Sequence, residues 1–125
     1  MPVDVETKRR AVDAYVKAFA DADVAQVMAI YAEDATVEDP VGTPIIAGHA
    51  AIRAFYEGAL KTGAKLTLEG PVRTPTDLAV FPFSVHLDFA GGKKRIDVVD
   101  HFRFNADGKV VEMRAFWGPS DMVDV

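Results

Sequence analysis

One carboxylate in this chain lies where a strand should carry only apolar side chains. The run Ile96-Asp97-Val98-Val99-Asp100-His101-Phe102-Arg103-Phe104 alternates with period two. Alternate residues of a strand share a face. Asp100 therefore shares its face with Ile96, Val98, Phe102 and Phe104, and Asp97, Val99, His101 and Arg103 take the other. An isolated buried charge is costly, so an acid in that place keeps its proton. A protonated carboxyl in an apolar cavity is a hydrogen-bond donor, which is a chemical tool. A buried acid held by structural hydrogen bonds is the plainer alternative. Perturbed acids in apolar clefts cluster at functional sites only statistically.

Asp39 is the second candidate. Before Pro40 it reads first as a turn residue. In strict alternation it shares the side of Val37, which favours Asp39 over Glu38 as the inward acid. Tyr15, Tyr31 and Tyr56 are the chain's three tyrosines. Each falls on an apolar helical stripe, so each alone is an amphipathic core residue whose hydroxyl seeks a partner. Three such stripes facing one sheet could bring the hydroxyls to one polar spot. His49, His86 and His101 are scattered, without metal-ligand spacing, and His101 faces away from Asp100. They read as structural or surface residues. Phosphate-loop, nucleophile-elbow and zinc patterns are missing from the sequence. Lys93-Lys94-Arg95 reads as a solvated strand start.

A chain of 125 residues makes one domain, 1–125, with room for a real core. A net charge of −5 argues against nucleic acid and anionic membrane surfaces as partners. There is no cysteine, hence no disulfide or thiolate site. The N-terminus lacks the apolar core of a signal peptide, and no apolar run reaches membrane-spanning length. A cytoplasmic location is the expectation.

The elements that must position these residues are legible from period and punctuation. Val12, Tyr15, Val16 and Phe19 mark one helix face. Asp23 with Gln26 reads as a capping box opening a second helix, with Val24, Val27, Met28 and Tyr31 as its stripe. Residues 35–38 form a short strand stopped by Asp39-Pro40. A third helix runs from about His49 to Lys61, with Ile52, Phe55, Tyr56 and Leu60 as its stripe, and Thr62-Gly63 closes it. Leu66 and Leu68 alternate. A long alternating run follows, formed by Ala79, Phe81, Phe83, Val85, Leu87 and Phe89. Gly91-Gly92 and Asp107-Gly108 are hairpin signals joining three long strands. The fold class is α+β, with three helices in the N-terminal half packed on one face of a curved, mostly antiparallel sheet.

These turns imply a register. Asp107-Gly108 as a tight turn sets Phe104 against Val111, Phe102 against Met113 and Asp100 against Ala115. Gly91-Gly92 as the other sets Val85 against Val98 and Phe83 against Asp100. Trp117 then lies one diagonal step from Asp100.

Four segments carry a family resemblance. They are residues 31–40 (YAEDATVEDP), 51–56 (AIRAFY), 100–105 (DHFRFN) and 113–117 (MRAFW). From about Arg9 to Trp117 the chain resembles the bacterial Δ5-3-ketosteroid isomerases, within the NTF2-like and SnoaL-like superfamily. The resemblance implies a cone-shaped fold enclosing an apolar pocket. It implies Asp39 as general base, Tyr15 and protonated Asp100 as an oxyanion hole, and Tyr31 and Tyr56 as supporting tyrosines. An ionised base beside an acid kept neutral is that family's known arrangement. The pocket expected for a steroid substrate is lined by Phe55, Leu60, Phe81, Phe83, Val98, Met113, Ala115 and Trp117. Neither cofactor nor metal is implied. A homodimer is implied, with Val99 and Phe116 on the outer sheet face. The alternatives are a dehydratase or hydrolase on the same scaffold, or a steroid-binding module without turnover. Glycoside hydrolysis by two carboxylates fits poorly with so apolar a slot.

Overall fold

A computed structural model describes residues 3–89 and 91–125. The chain runs α1 (Val5–Ala20), α2 (Val24–Met28), β1 (Tyr31–Glu38), β2 (Ile46–Ala47), α3 (His49–Lys61), β3 (Lys65–Leu68), β4 (Leu78–Phe89), β5 (Gly92–Phe104), β6 (Val110–Phe116), a 3-10 turn (Pro119–Asp121) and β7 (Met122–Asp124). The sheet order is β2-β1-β6-β5-β4-β3, with β7 also paired to β5. The sheet is mixed, because β1 runs parallel to β6 while the other pairs are antiparallel. Three helices pack on this curved, unclosed sheet, as the α+β reading expected.

Local chemistry explains the helix limits. Asp4 caps α1 by accepting from the Thr7 backbone N–H at 2.7 Å. Val12, Tyr15, Ala18 and Phe19 form its buried face. Asp23 caps α2 by accepting from the Ala25 N–H at 3.0 Å. The expected capping box is not reciprocal, because the Asp23 N–H donates to the Ala18 carbonyl and not to Gln26, whose amide donates to the carboxylates of Asp21 and Asp23. The second helix stops at Met28, and Tyr31 opens a strand. Its burial comes from the sheet, and the period that placed it on a helical stripe continued by coincidence into β1. That strand is also longer than expected. α3 spans His49–Lys61 as read, and Gly63 beyond it takes a φ of 75° that suits glycine.

Alternation in β5 holds along its length. Ile96, Val98, Asp100, Phe102 and Phe104 are buried, while Asp97, Val99 and Arg103 are exposed. The hairpin registers differ in detail from expectation. Phe89 pairs with Gly92, so Phe81, not Phe83, stands opposite Asp100, and Phe83 stands opposite Val98. The turn is centred one residue earlier than the Gly91-Gly92 signal, and Gly92 opens β5 with a φ of 130°. A shift of two residues preserves the face, so Asp100 stays inward. Ala90 and the side chain of Phe89, which was expected to face inward, lie outside the described residues.

At the other hairpin, Asp100 faces Ala115 and Phe102 faces Met113 as read. Phe104 faces Val110 instead of Val111. The connection is longer than a two-residue turn. The Asn105 side-chain oxygen accepts from the N–H groups of Asp107 and Lys109, each at 3.0 Å, and a bulge restores the pairing beyond Arg103.

Candidate active site

Asp100 is 1% exposed in the middle of β5. Both of its oxygens are buried, with no hydrogen-bond partner among the described residues. Burial first, and the charge of Asp39 second, push its carboxyl well above the usual range. That direction favours the neutral carboxyl, which has a proton to donate.

Asp39 stands just past the end of β1 and lines the same cavity. The chain around it is fastened to β6. Glu38 points to the other face, accepting from Arg114 Nε at 3.0 Å and from the Gly42 N–H at 3.0 Å. The Val41 N–H donates to the Ala115 carbonyl at 2.8 Å. With Glu38 committed outward, Asp39 turns inward, where Trp117 Nε1 donates to its Oδ1 at 2.9 Å. Burial raises the Asp39 carboxyl and the Trp117 bond draws it back down. The two acids thus differ by environment. One has a donor and partial solvent, and the other has neither.

The three tyrosines meet, although from two helices and a strand. The Tyr31 and Tyr56 hydroxyls lie 2.6 Å apart, and those of Tyr56 and Tyr15 lie 3.0 Å apart. If Tyr31 donates to Tyr56 and Tyr56 to Tyr15, the Tyr15 proton is left free for the cavity. Burial holds all three phenols well above their usual range, so they stay protonated. Phe102 fixes the Tyr15 ring edge-on, with centroids 5.2 Å apart.

The cavity holds about 610 Å³ of space, its open mouth included. Tyr15, Asp39, Asp100 and Trp117 line it, with Tyr56, Phe55, Phe83, Val98 and Ala115 from the expected set. Leu60, Phe81 and Met113 do not line it. Leu60 faces a separate surface depression beside α2. Phe81 and Met113 are wholly buried in the core, Phe81 across from Asp100 and Met113 across from Phe102. Tyr31 also sits behind the wall, one hydroxyl removed.

The sequence reading passed over Phe19, Ala59, Thr62, Ala64, Leu66, Val85, Leu87 and Ile96, which complete the lining. Leu66, Val85, Leu87 and Ile96 were inward positions by alternation alone. Thr62 follows the end of α3 and carried no signal. None of the histidines lines this cavity. His49 meets the Met28 carbonyl, His86 meets Ser84, and His101 meets Glu112. Among the described residues no cluster has the makings of a metal site, and no helix is long and apolar enough to cross a membrane.

Helices on a curved sheet, with acids and phenols lining an apolar slot, define the architecture. A family model described as a SnoaL-like domain matches residues 12–113, and the chain belongs to that family. A curated relative from Nocardioides simplex, named Steroid Delta-isomerase, is 44% identical over 116 residues, covering 92% of this chain and 93% of the relative. A solved structure of an epoxide hydrolase/cyclase-like enzyme, described for pyran ring formation in the polyether salinomycin, superposes with a TM-score of 0.90 over 98% of both chains. Its identity is 23%, so that likeness speaks for the fold alone.

Proposed function

We propose that the protein is a steroid Δ-isomerase that converts 3-oxo-Δ5-steroids into their conjugated 3-oxo-Δ4 isomers. The observation that carries this reading is Asp100, a neutral acid in an apolar cavity with no bond spent inside the protein. A donor so placed, beside the Tyr15 hydroxyl and in a cavity shared with Asp39, suits a carbonyl oxygen that gains negative charge. The similarity to the Nocardioides simplex isomerase supports the same chemistry.

In this reading Asp39 takes the proton from C4, which lies between the 3-carbonyl and the C5–C6 double bond. The electrons of that C–H bond pass into a dienolate, and negative charge gathers on the 3-oxygen. Tyr15 and Asp100 donate hydrogen bonds to it, worth more there than in water because both donors are buried against an apolar wall. Protonated Asp39 then returns the proton to C6, and the double bond settles between C4 and C5. Atoms and electrons balance without a cofactor. The apolar wall from Phe55, Phe83, Val98 and Trp117 suits a flat polycyclic ligand. A second copy of the chain would cover the outer sheet face, where Val99 and Phe116 are paired and exposed.

The test is direct. Incubation with 5-androstene-3,17-dione should produce the ultraviolet absorption of a conjugated enone. Measurable steroid binding with no absorbance change would sink the isomerase and leave a binding module. A same-fold dehydratase or hydrolase finds less support, because no histidine or arginine lines the cavity.

A further inference from the structure

Trp117 reaches Asp39 because the strand that carries it is interrupted. β6 pairs with β5 as far as Phe116, opposite Val99. Continued without a break, that register would set Trp117 opposite Val98 and Pro119 opposite Ile96. Met122 stands opposite Ile96 instead, three residues later. The surplus chain is gathered in the turn over Pro119–Asp121. Asp121 closes that turn twice. Its Oδ2 accepts from the Gly118 N–H at 2.8 Å, and its own N–H donates to the Gly118 carbonyl at 2.9 Å. Trp117 is therefore anchored by β6 on one side and by a closed turn on the other. Its indole leaves the floor of the sheet and serves the carboxylate at the end of β1.

We propose that Asp121 is a positioning residue for Asp39, because it closes the turn that holds the Trp117 indole N–H on the Asp39 carboxylate. The consequence for turnover rests on Asp39 being the base. The consequence for the indole rests on the geometry alone. An N–H donated to a carboxylate favours its charged form. Without the Asp121 side chain, the Gly118 N–H loses its acceptor and the turn, left with its backbone bond alone, loosens its hold on Trp117. Asp39 then loses the donor that offsets its burial. The ionisable groups around Asp39 on the cavity side are Asp100 from β5, Tyr15 from α1 and Tyr56 from α3. Tyr31 stands behind them, and Glu38 faces away with Arg114. None of these is hydrogen-bonded to the turn.

Trp117 is the chain's one tryptophan, so its fluorescence reports on this contact without any assay of turnover. Asp121→Ala should shift the emission to the red and make the indole easier to quench with acrylamide. The pH at which the emission follows Asp39 ionisation, assigned with Asp39→Asn, should move upward. With 5-androstene-3,17-dione, the acid limb of kcat/KM should move the same way, with roughly threefold to tenfold loss on that limb. Asp121→Asn keeps a side-chain oxygen acceptor and should restore both readouts. In a Trp117→Phe background, Asp121→Ala should add no further change to the pH profile. If Asp121→Ala does not fold, Asp121→Leu, which likewise lacks a side-chain acceptor, serves the same comparison. Wild-type emission and pH profile in the variant, even with a lowered Tm, would overturn the proposal. Absence of turnover in the wild type would remove the isomerase reading instead, and the fluorescence would still decide the role of the turn.

Discussion

Asp39 and Asp100 line one cavity, yet only Asp39 has a donor within the protein. The Trp117 indole serves it at 2.9 Å, whereas both oxygens of Asp100 are buried with no partner among the described residues. That asymmetry suits the opposite roles proposed for the two acids. It also has consequences for stability, because an unmatched buried polar group costs the folded state something that a ligand can return.

The pH dependence of folding should reveal Asp100. Its carboxyl is raised well above the ordinary 3.8, by burial and then by Asp39. Above about pH 4 the unfolded chain releases this proton and the folded chain keeps it. Stability linked to a raised folded-state value is full below the unfolded value. It is lost as pH rises through the folded one. Asp100→Asn cannot ionise and should gain on the wild type as pH rises above about 4. Denaturant unfolding at several pH values measures this, and two parallel stability profiles would refute a raised Asp100.

Losses at the anion-stabilising end should be graded by contact. Tyr15→Phe and Asp100→Ala each remove a donor proposed to serve the developing oxyanion, and each should lower kcat by about a hundredfold or more. Tyr31→Phe and Tyr56→Phe break the chain of hydroxyls behind Tyr15 and should cost less. Single-turnover rates with a 3-oxo-Δ5-steroid measure the ranking. Near-normal rates in both Tyr15→Phe and Asp100→Ala would remove the oxyanion-hole assignment.

The inward placement of Asp100 was legible because alternation in β5 is unbroken over the whole strand, and a register error of two residues could not turn it outward. For the same reason Phe81 takes the place beside Asp100 expected of Phe83, which stands opposite Val98 instead. Asp39 was harder, since one residue of alternation beyond Val37 is a thin signal. The structure shows what decides it, namely the bonds from Glu38 to Arg114 and Gly42, which link positions far apart in sequence. Tyr31 was misplaced on a helix because its neighbours fit either period. Leu60, Phe81 and Met113 were expected at the cavity wall, and they are buried but do not line it. Alternation tells which side a residue faces, not how deep the packing behind it goes.

Asp39→Asn separates binding from chemistry. The amide keeps the shape of the carboxylate, and its side-chain oxygen can still accept from Trp117, but it cannot take the C4 proton. Turnover should fall further than in either oxyanion-hole variant, while the dissociation constant of a 3-oxo-Δ4-steroid product stays within a fewfold. Full activity would refute the base. Lost binding together with an unfolded spectrum would mean that the variant tests stability, and Asp39→Glu, which retains a base on a longer arm, would then decide by partial turnover.

The outer face of the sheet provides a prediction independent of the cavity. Val99 and Phe116 are cross-strand partners, 39% and 41% exposed, on the side opposite Asp100 and Ala115. Apolar pairs of this size on a strand are stabilised by burial, and a second copy of the chain would supply it. The wild type should sediment at twice the mass of a 13.6 kDa chain. Phe116→Glu should weaken association at least tenfold, since a carboxylate there must be desolvated at the centre of the contact. Because Phe116 points away from the cavity, the variant's fold and its affinity for steroid should persist wherever the monomer is stable. Analytical ultracentrifugation over a range of concentrations measures the shift, and a wild type that remains monomeric throughout would sink the outer-face dimer.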